Sequence, residues 1–219
     1  MPIATRTPPD NVFIEMADIN EQWRYQAGMF DFVHARSISL AVRPLCHTAA
    51  FPYQHLSPQV HDYPGMLDQV ARVLRPNGLF LACEWGRFVV MRDGRNLLVA
   101  APSTYQFFEA VKAALLARGV VPVAENLERW IRESGRFDRI EARCFEVPIG
   151  DWDQTRAPLG TEYRDFLSTY AESLKALLVE SGRRAMDVDV LIREMQREMR
   201  EVRGMVCYYF TVHARRIRV

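Results

Sequence analysis

No two of the chain's 11 glycines stand in a G-x-G spacing, so no phosphate-cradling or dinucleotide-binding turn is written into this sequence. Cysteine is as sparse. Cys46, Cys83, Cys144 and Cys207 are widely scattered and form no C-x-x-C pair, as a reducing, intracellular compartment leaves them. Cys83, Cys144 and Cys207 lie in apparent strands, where free cysteine behaves as a small buried hydrophobe. No apolar run approaches the ~20 residues needed to span a bilayer, and Met1-Pro2-Ile3-Ala4-Thr5-Arg6 lacks the apolar core of a signal peptide. No membrane partner is expected; the location expected is intracellular, the cytoplasm first, with the nucleus open. Net charge is only +1, so no global field draws in nucleic acid or anionic lipid. The basic tail, His213-Ala214-Arg215-Arg216-Ile217-Arg218, reads as the solvated edge of a last strand rather than a docking site.

What is present is an ordinary globular composition. Of the 219 residues, 49% are hydrophobic and 25% charged, enough for one substantial core. A single domain over 1–219 is expected. Its best-marked stretch runs from Tyr63 to Trp85. Met66, Leu67, Val70, Val73 and Leu74 share one face at helical spacing. Pro76 ends that helix, and Asn77-Gly78 tolerate the positive φ of the turn that follows. Leu79–Cys83 is a short apolar run, the pattern of a strand covered on both faces. Glu84-Trp85 stands at its carboxyl end, where ligands gather in open α/β sheets.

Upstream, Val12–Ala17 and Phe30–Ala35 read as two further strands, the first ending at Asp18-Ile19 and the second at Arg36. Three strands with crossovers between them predict a parallel, doubly wound sheet. The segment from Val42 to Asp62 fits poorly, with three prolines, three histidines and no period. Three readings stay open for it: a substrate lid, a metal site from Cys46, His47, His55 and His61, or extraneous sequence. The spacing matches no common zinc pattern, so no metal is expected.

Downstream, residues 88–91 and 97–99 suggest a hairpin or an irregular cover. A helix from Pro102 turns Phe107, Phe108, Val111, Leu115 and Leu116 inward, and a second over 126–134 buries Leu127, Trp130 and Ile131. From Phe137 the period becomes two, with Ile140, Ala142 and Cys144 opposite Arg139, Glu141 and Arg143. One long helix carries Tyr163, Phe166, Leu167, Tyr170, Leu174, Leu177 and Leu178, and another, from near Asp187, carries Leu191 to Val202. The apolar Met205–Val212 closes the chain as a strand. The aromatic and methionine stripes read as core.

In order and spacing these pieces resemble the later two-thirds of a fungal-type S-adenosylmethionine-dependent class I methyltransferase. The resemblance rests on Pro9-Asp10-Asn11-Val12 through Asp18, on Phe30–Arg36, and on Asp62-Tyr63-Pro64 with Leu74–Phe80 and Glu84-Trp85. Pro148-Ile149-Gly150-Asp151-Trp152 and the closing strand match too. It implies a Rossmann-like, mostly parallel α/β sheet with an antiparallel C-terminal strand. Asp18 and Ile19 would then hold the adenine of S-adenosylmethionine, His34, Ala35 and Arg36 would pass its methionine part, and Glu84 and Trp85 would face a small-molecule acceptor. No catalytic residue is implied, since proximity and orientation carry much of such a transfer.

The chain departs from that pattern in two ways. The family's Gly-rich turn and the acidic residue after its second strand have no counterpart, as if its first two strands were missing. Residues 43–60 form an irregular insertion, which a translated intron would explain. A catalytically inactive, methyltransferase-like binding or regulatory module is therefore the alternative.

Overall fold

The computed structural model describes residues 9–19, 21–38, 63–118, 120 and 123–218. The irregular 43–60 segment and its metal candidates Cys46, His47, His55 and His61 lie outside the described residues. Four strands form one sheet: β1 (Phe30–Arg36), β2 (Leu74–Met91), β3 (Phe137–Pro148) and β4 (Met205–Arg216), in the order β1-β2-β4-β3. β1 and β2 are parallel, while β4 is antiparallel to both β2 and β3. Three strands therefore run one way and the last in sequence runs against them, as the resemblance implied.

The Tyr63–Trp85 stretch folds largely as its sequence dictates. α1 (Tyr63–Val73) buries Tyr63, Met66, Leu67, Val70, Ala71 and Val73. β2 begins at the next residue and absorbs the turn, with Asn77 at φ 63°. Gly78 is required there, because a Cβ would meet the Arg75 carbonyl oxygen at 2.8 Å. Among the described residues Leu79–Cys83 is fully covered on one face and only partly on the other, where Cys83 is buried. Phe80 and Ala82 are fully buried against α1 and α4 (Leu127–Glu133), whereas Leu79 and Leu81 are half-buried. On that second side Phe32 and His34, their register partners in β1, are exposed.

Several expectations need correction. Val12–Ala17 is not a strand: it has no regular structure, and Phe13, Ile14 and Met16 are 87%, 70% and 88% exposed. A strand exists through its ladder partners, and among the described residues nothing pairs with it. Residues 88–91 are not a hairpin arm. They extend β2 past an irregularity between Trp85 and Val89, pairing with Met205–Cys207, and 97–100 form the short helix α2. Leu116, at the end of α3 (Pro102–Leu116), is exposed rather than inward.

β3 also breaks its alternation. Arg139 adopts φ 47° where the register with β4 shifts, and beyond it Ala142, Cys144 and Phe145 are exposed on an edge strand. Cys144 is therefore not buried, unlike Cys83 and Cys207. The long helix is two, α5 (Ala157–Ser173) and α6 (Lys175–Glu180), broken at Leu174; α7 (Ala185–Glu201) follows.

Two apolar clusters divide the sheet along its strands. One joins α1 and α4 to Ala35, Phe80, Ala82, Phe137 and Val212. The other packs α3, α5, α6 and α7 on the far part of β2 and the start of β4. Gly160 lets α5 close on the β3 end, where a Cβ would lie 2.0 Å from the Gly150 carbonyl oxygen. α3 has no side-chain cap of its own. Glu198, buried on α7, supplies one from a distance: Ser103 N–H donates to Oε1 at 3.0 Å, and Thr104 N–H and Oγ1 donate to Oε2 at 2.7 and 2.8 Å. An anion at a helix N-terminus is favoured by the unsatisfied N–H groups and the helix dipole.

Candidate functional site

Of the residues singled out by the sequence, Arg36 ends β1, whereas Glu84 and Trp85 lie midway along β2, which runs on to Met91, and not at its carboxyl end as expected. Glu84 stands one residue beyond the last β1–β2 pair, Arg36 with Cys83. After Arg36 the chain turns through Ser37 (φ 53°), whose N–H donates to the Cys83 carbonyl at 2.8 Å. Ile38 N–H then donates to Glu84 Oε1 at 3.1 Å. Glu84 is fully buried, so its carboxylate ties the chain leaving β1 to the middle of β2 instead of projecting into solvent. Ala35 is buried, while His34 and Arg36 are exposed, with His34 stacked on Phe32 at 6.0 Å. Ile19 packs against the same cluster as Ala35, beside Trp23, Val33 and Ile38. The Trp23 indole N–H donates to the Ile19 carbonyl at 3.3 Å. Asp18 is half-buried, and its carbonyl accepts from Glu21 N–H.

Trp85 is not open to stacking. Its indole lies 4.4 Å from the Tyr163 ring, nearly parallel, and 4.5 Å from the Tyr209 ring at 50°. Phe166 and Tyr170 continue this stack along α5. The sequence reading placed these aromatics in the core and missed that they surround Trp85. Their spacing at 163, 166 and 170 was the available signal. Tyr209 comes from β4, and no local pattern ties it to Trp85.

Three further groups near Glu84 went unnoticed in the sequence. Burial, with the Glu84 charge beside it, pushes the Tyr63 phenol well above its usual range, and Tyr63 Oη has no hydrogen-bond partner among the described residues. Burial raises the Cys83 thiol. Burial and the Cys83 side chain push Tyr209 up to about 12.

A cleft of about 280 Å³ opens past the β2 irregularity, between the end of that strand, α2 and α3. Phe88, Leu97, Tyr105 and Phe108 give it an apolar lining, with Glu109 and Lys112 among its charged residues. Among the described residues no group of three His, Cys, Asp or Glu side chains is placed to hold a metal ion.

No family model matches the chain. Over 208 residues it is 28% identical to the secondary metabolism regulator laeA of the fungus Coprinopsis cinerea, covering 90% of this chain and 46% of that protein. The chain thus spans about half the length of that curated relative. Among solved structures, loganic acid methyltransferase aligns at 14% identity and TM-score 0.43, over 89% of this chain and 63% of that one. Haemonchus contortus phosphoethanolamine N-methyltransferase 2 aligns at 14% identity and TM-score 0.42, over 90% and 35%. The resemblance to fungal-type class I methyltransferases stands: this is an α/β chain with their reversed last strand, similar over nine-tenths of its length to a fungal regulator of secondary metabolism.

Proposed function

We propose that this chain is the later part of an S-adenosylmethionine-dependent methyltransferase, with a small molecule as its methyl acceptor. The observation that carries the reading is the Ile38–Glu84 hydrogen bond. It ties the chain leaving β1, just after the expected methionine-side residues His34, Ala35 and Arg36, to Glu84 of the expected acceptor side, at the carboxyl end of β1. Open α/β sheets take their ligands at the carboxyl ends of strands.

The residues present fit one side of the cofactor. The Asp18 carboxylate can accept from an exocyclic amine, and Ile19 offers apolar surface to a purine beside it. The left-handed turn at Ser37 carries the backbone past Cys83 and Glu84 of β2. When bound, the cofactor supplies an electrophilic methyl group. This chain's part is to bind, orient and exclude water. Trp85, wedged between Tyr163 and Tyr209, is a rigid wall, and the cleft beyond Phe88 suits a largely apolar acceptor.

Among the described residues nothing pairs with the outer edge of β1, and Phe32 and His34 are exposed, which supports the view that the other half of the cofactor site is supplied by further chain. A non-catalytic binding module is the second reading, favoured by the lack of any G-x-G turn in the sequence. The test joins these 219 residues to the preceding stretch of the Coprinopsis relative and titrates S-adenosylmethionine by calorimetry. Binding near about 1–10 μM is expected, weakened about 5–30-fold in Asp18→Ala, the loss of a hydrogen bond or two. A folded, extended protein that binds no cofactor refutes the methyltransferase reading. Unchanged affinity in Asp18→Ala refutes the role given to Asp18.

A further inference from the structure

A second cleft, of about 420 Å³, lies at the opposite end of the strands. It is lined by Asp68, Ala71 and Arg72 of α1, by Arg136 just before β3, and by Arg216 and Ile217 where β4 ends. Three arginines and one aspartate thus line one cleft, in a protein whose net charge is only +1. Among the described residues, neither Arg72 nor Arg216 is ion-paired. Arg72 donates to the Tyr25 and Trp23 carbonyls, both at 2.6 Å, and to Gln69 Oε1. Arg216 donates to the Leu74 carbonyl. Neighbouring Arg215 donates to the Asn77 carbonyl at 3.1 Å. These acceptors are neutral, so they fix the side chains and leave the charge in place. Among the described residues Arg136 alone in the cleft is ion-paired, through Nε to Asp68 at 2.7 Å, and its two Nη groups meet no acceptor among them.

We propose that this cleft docks an acidic peptide segment, with two carboxylates on Arg136 and Arg216 and an apolar side chain between them over Ala71 and Ile217. Pre-positioned guanidinium forks suit bidentate capture of carboxylates, because little rotamer freedom is left to lose. The apolar floor separates this surface from one built for a nucleic acid backbone. A duplex needs a broad basic track, and here the lining is three arginines beside Asp68. The proposal does not depend on the methyltransferase reading, since it concerns the other end of the sheet.

Fluorescence anisotropy tests it, using a labelled 12-residue peptide of alternating Asp, Glu and Leu with the full chain at low salt. Saturable binding is expected, weakened at least tenfold in Arg136→Glu and in Arg216→Glu, and unchanged in Arg183→Glu, a remote exposed arginine. Arg216→Lys, which keeps the charge and loses the fork, is expected to lie between. Arg136 is exposed and holds no backbone group, so Arg136→Glu stays informative if Arg216→Glu fails to fold. Absent binding, equal weakening by Arg183→Glu, or preferred binding of a labelled DNA duplex overturns the proposal.

Discussion

Replacing Glu198 by alanine removes the carboxylate that starts α3. Three donors lose their acceptor: the N–H groups of Ser103 and Thr104 and the Thr104 hydroxyl. Thr104 is fully buried, so water cannot replace what it loses, whereas Ser103 is half-buried and is partly rescued by solvent. At about 1–3 kcal/mol per stranded buried polar group, the loss comes to about 3–5 kcal/mol. That is a large share of a domain's roughly 5–15 kcal/mol. For a chain of this length each kcal/mol moves Tm by about 2–4 °C, so a fall of about 6–20 °C is expected by calorimetry or circular dichroism. Glu198→Gln keeps one acceptor oxygen and is expected to lose about half as much. In a double-mutant cycle with Thr104→Val the two losses overlap by about 1–2 kcal/mol, because they remove the two ends of one bond. A fall below 2 °C in Glu198→Ala, or strict additivity in the cycle, refutes the idea that α7 caps α3.

Tyr63→Phe deletes a buried hydroxyl that has no partner among the described residues. It is expected to leave stability unchanged or raise it by up to about 1 kcal/mol, measured by urea unfolding; a loss above 1 kcal/mol contradicts the unpartnered assignment. Thr155 and Arg156 hold the Asp153 carboxyl down at about 2. Its folded value lies below its unfolded value of about 3.9, so its contribution is complete above about pH 4 and is lost as pH falls toward about 2. Asp153→Asn should flatten that part of the acid unfolding curve, and an unaltered slope counts against it. Among the described cysteines, maleimide labelling followed by mass spectrometry should mark exposed Cys144 before buried Cys83 and Cys207; burial holds the Cys207 thiol at about 11. Labelling of Cys207 first contradicts the β4 placement.

What the sequence made legible was local. α1 and its turn followed from apolar spacing, Pro76 and Asn77-Gly78, all within one short stretch. The reversed last strand was legible through the family resemblance, because an apolar run fixes burial but not direction. Val12–Ala17 failed for the complementary reason. Its composition is strand-like, yet a strand is stabilised by its neighbours, and none lies beside it among the described residues. Cys144 and Ala142 failed because alternation says which residues share a side, while the positive φ at Arg139 and the absence of cover over an edge strand decide exposure. The Glu198 cap and the stack of Tyr163 and Tyr209 on Trp85 join residues far apart in the chain. No window of sequence contains them.

The central claim is that these residues carry one side of a cofactor site and need a Gly-rich turn to complete it. Calorimetric titration of S-adenosylmethionine into the 219-residue chain by itself tests this most directly. The account predicts no saturable heat up to about 1 mM. A dissociation constant of about 10 μM or tighter would contradict it, by showing that the four-stranded sheet and its flanking turns suffice to hold the cofactor.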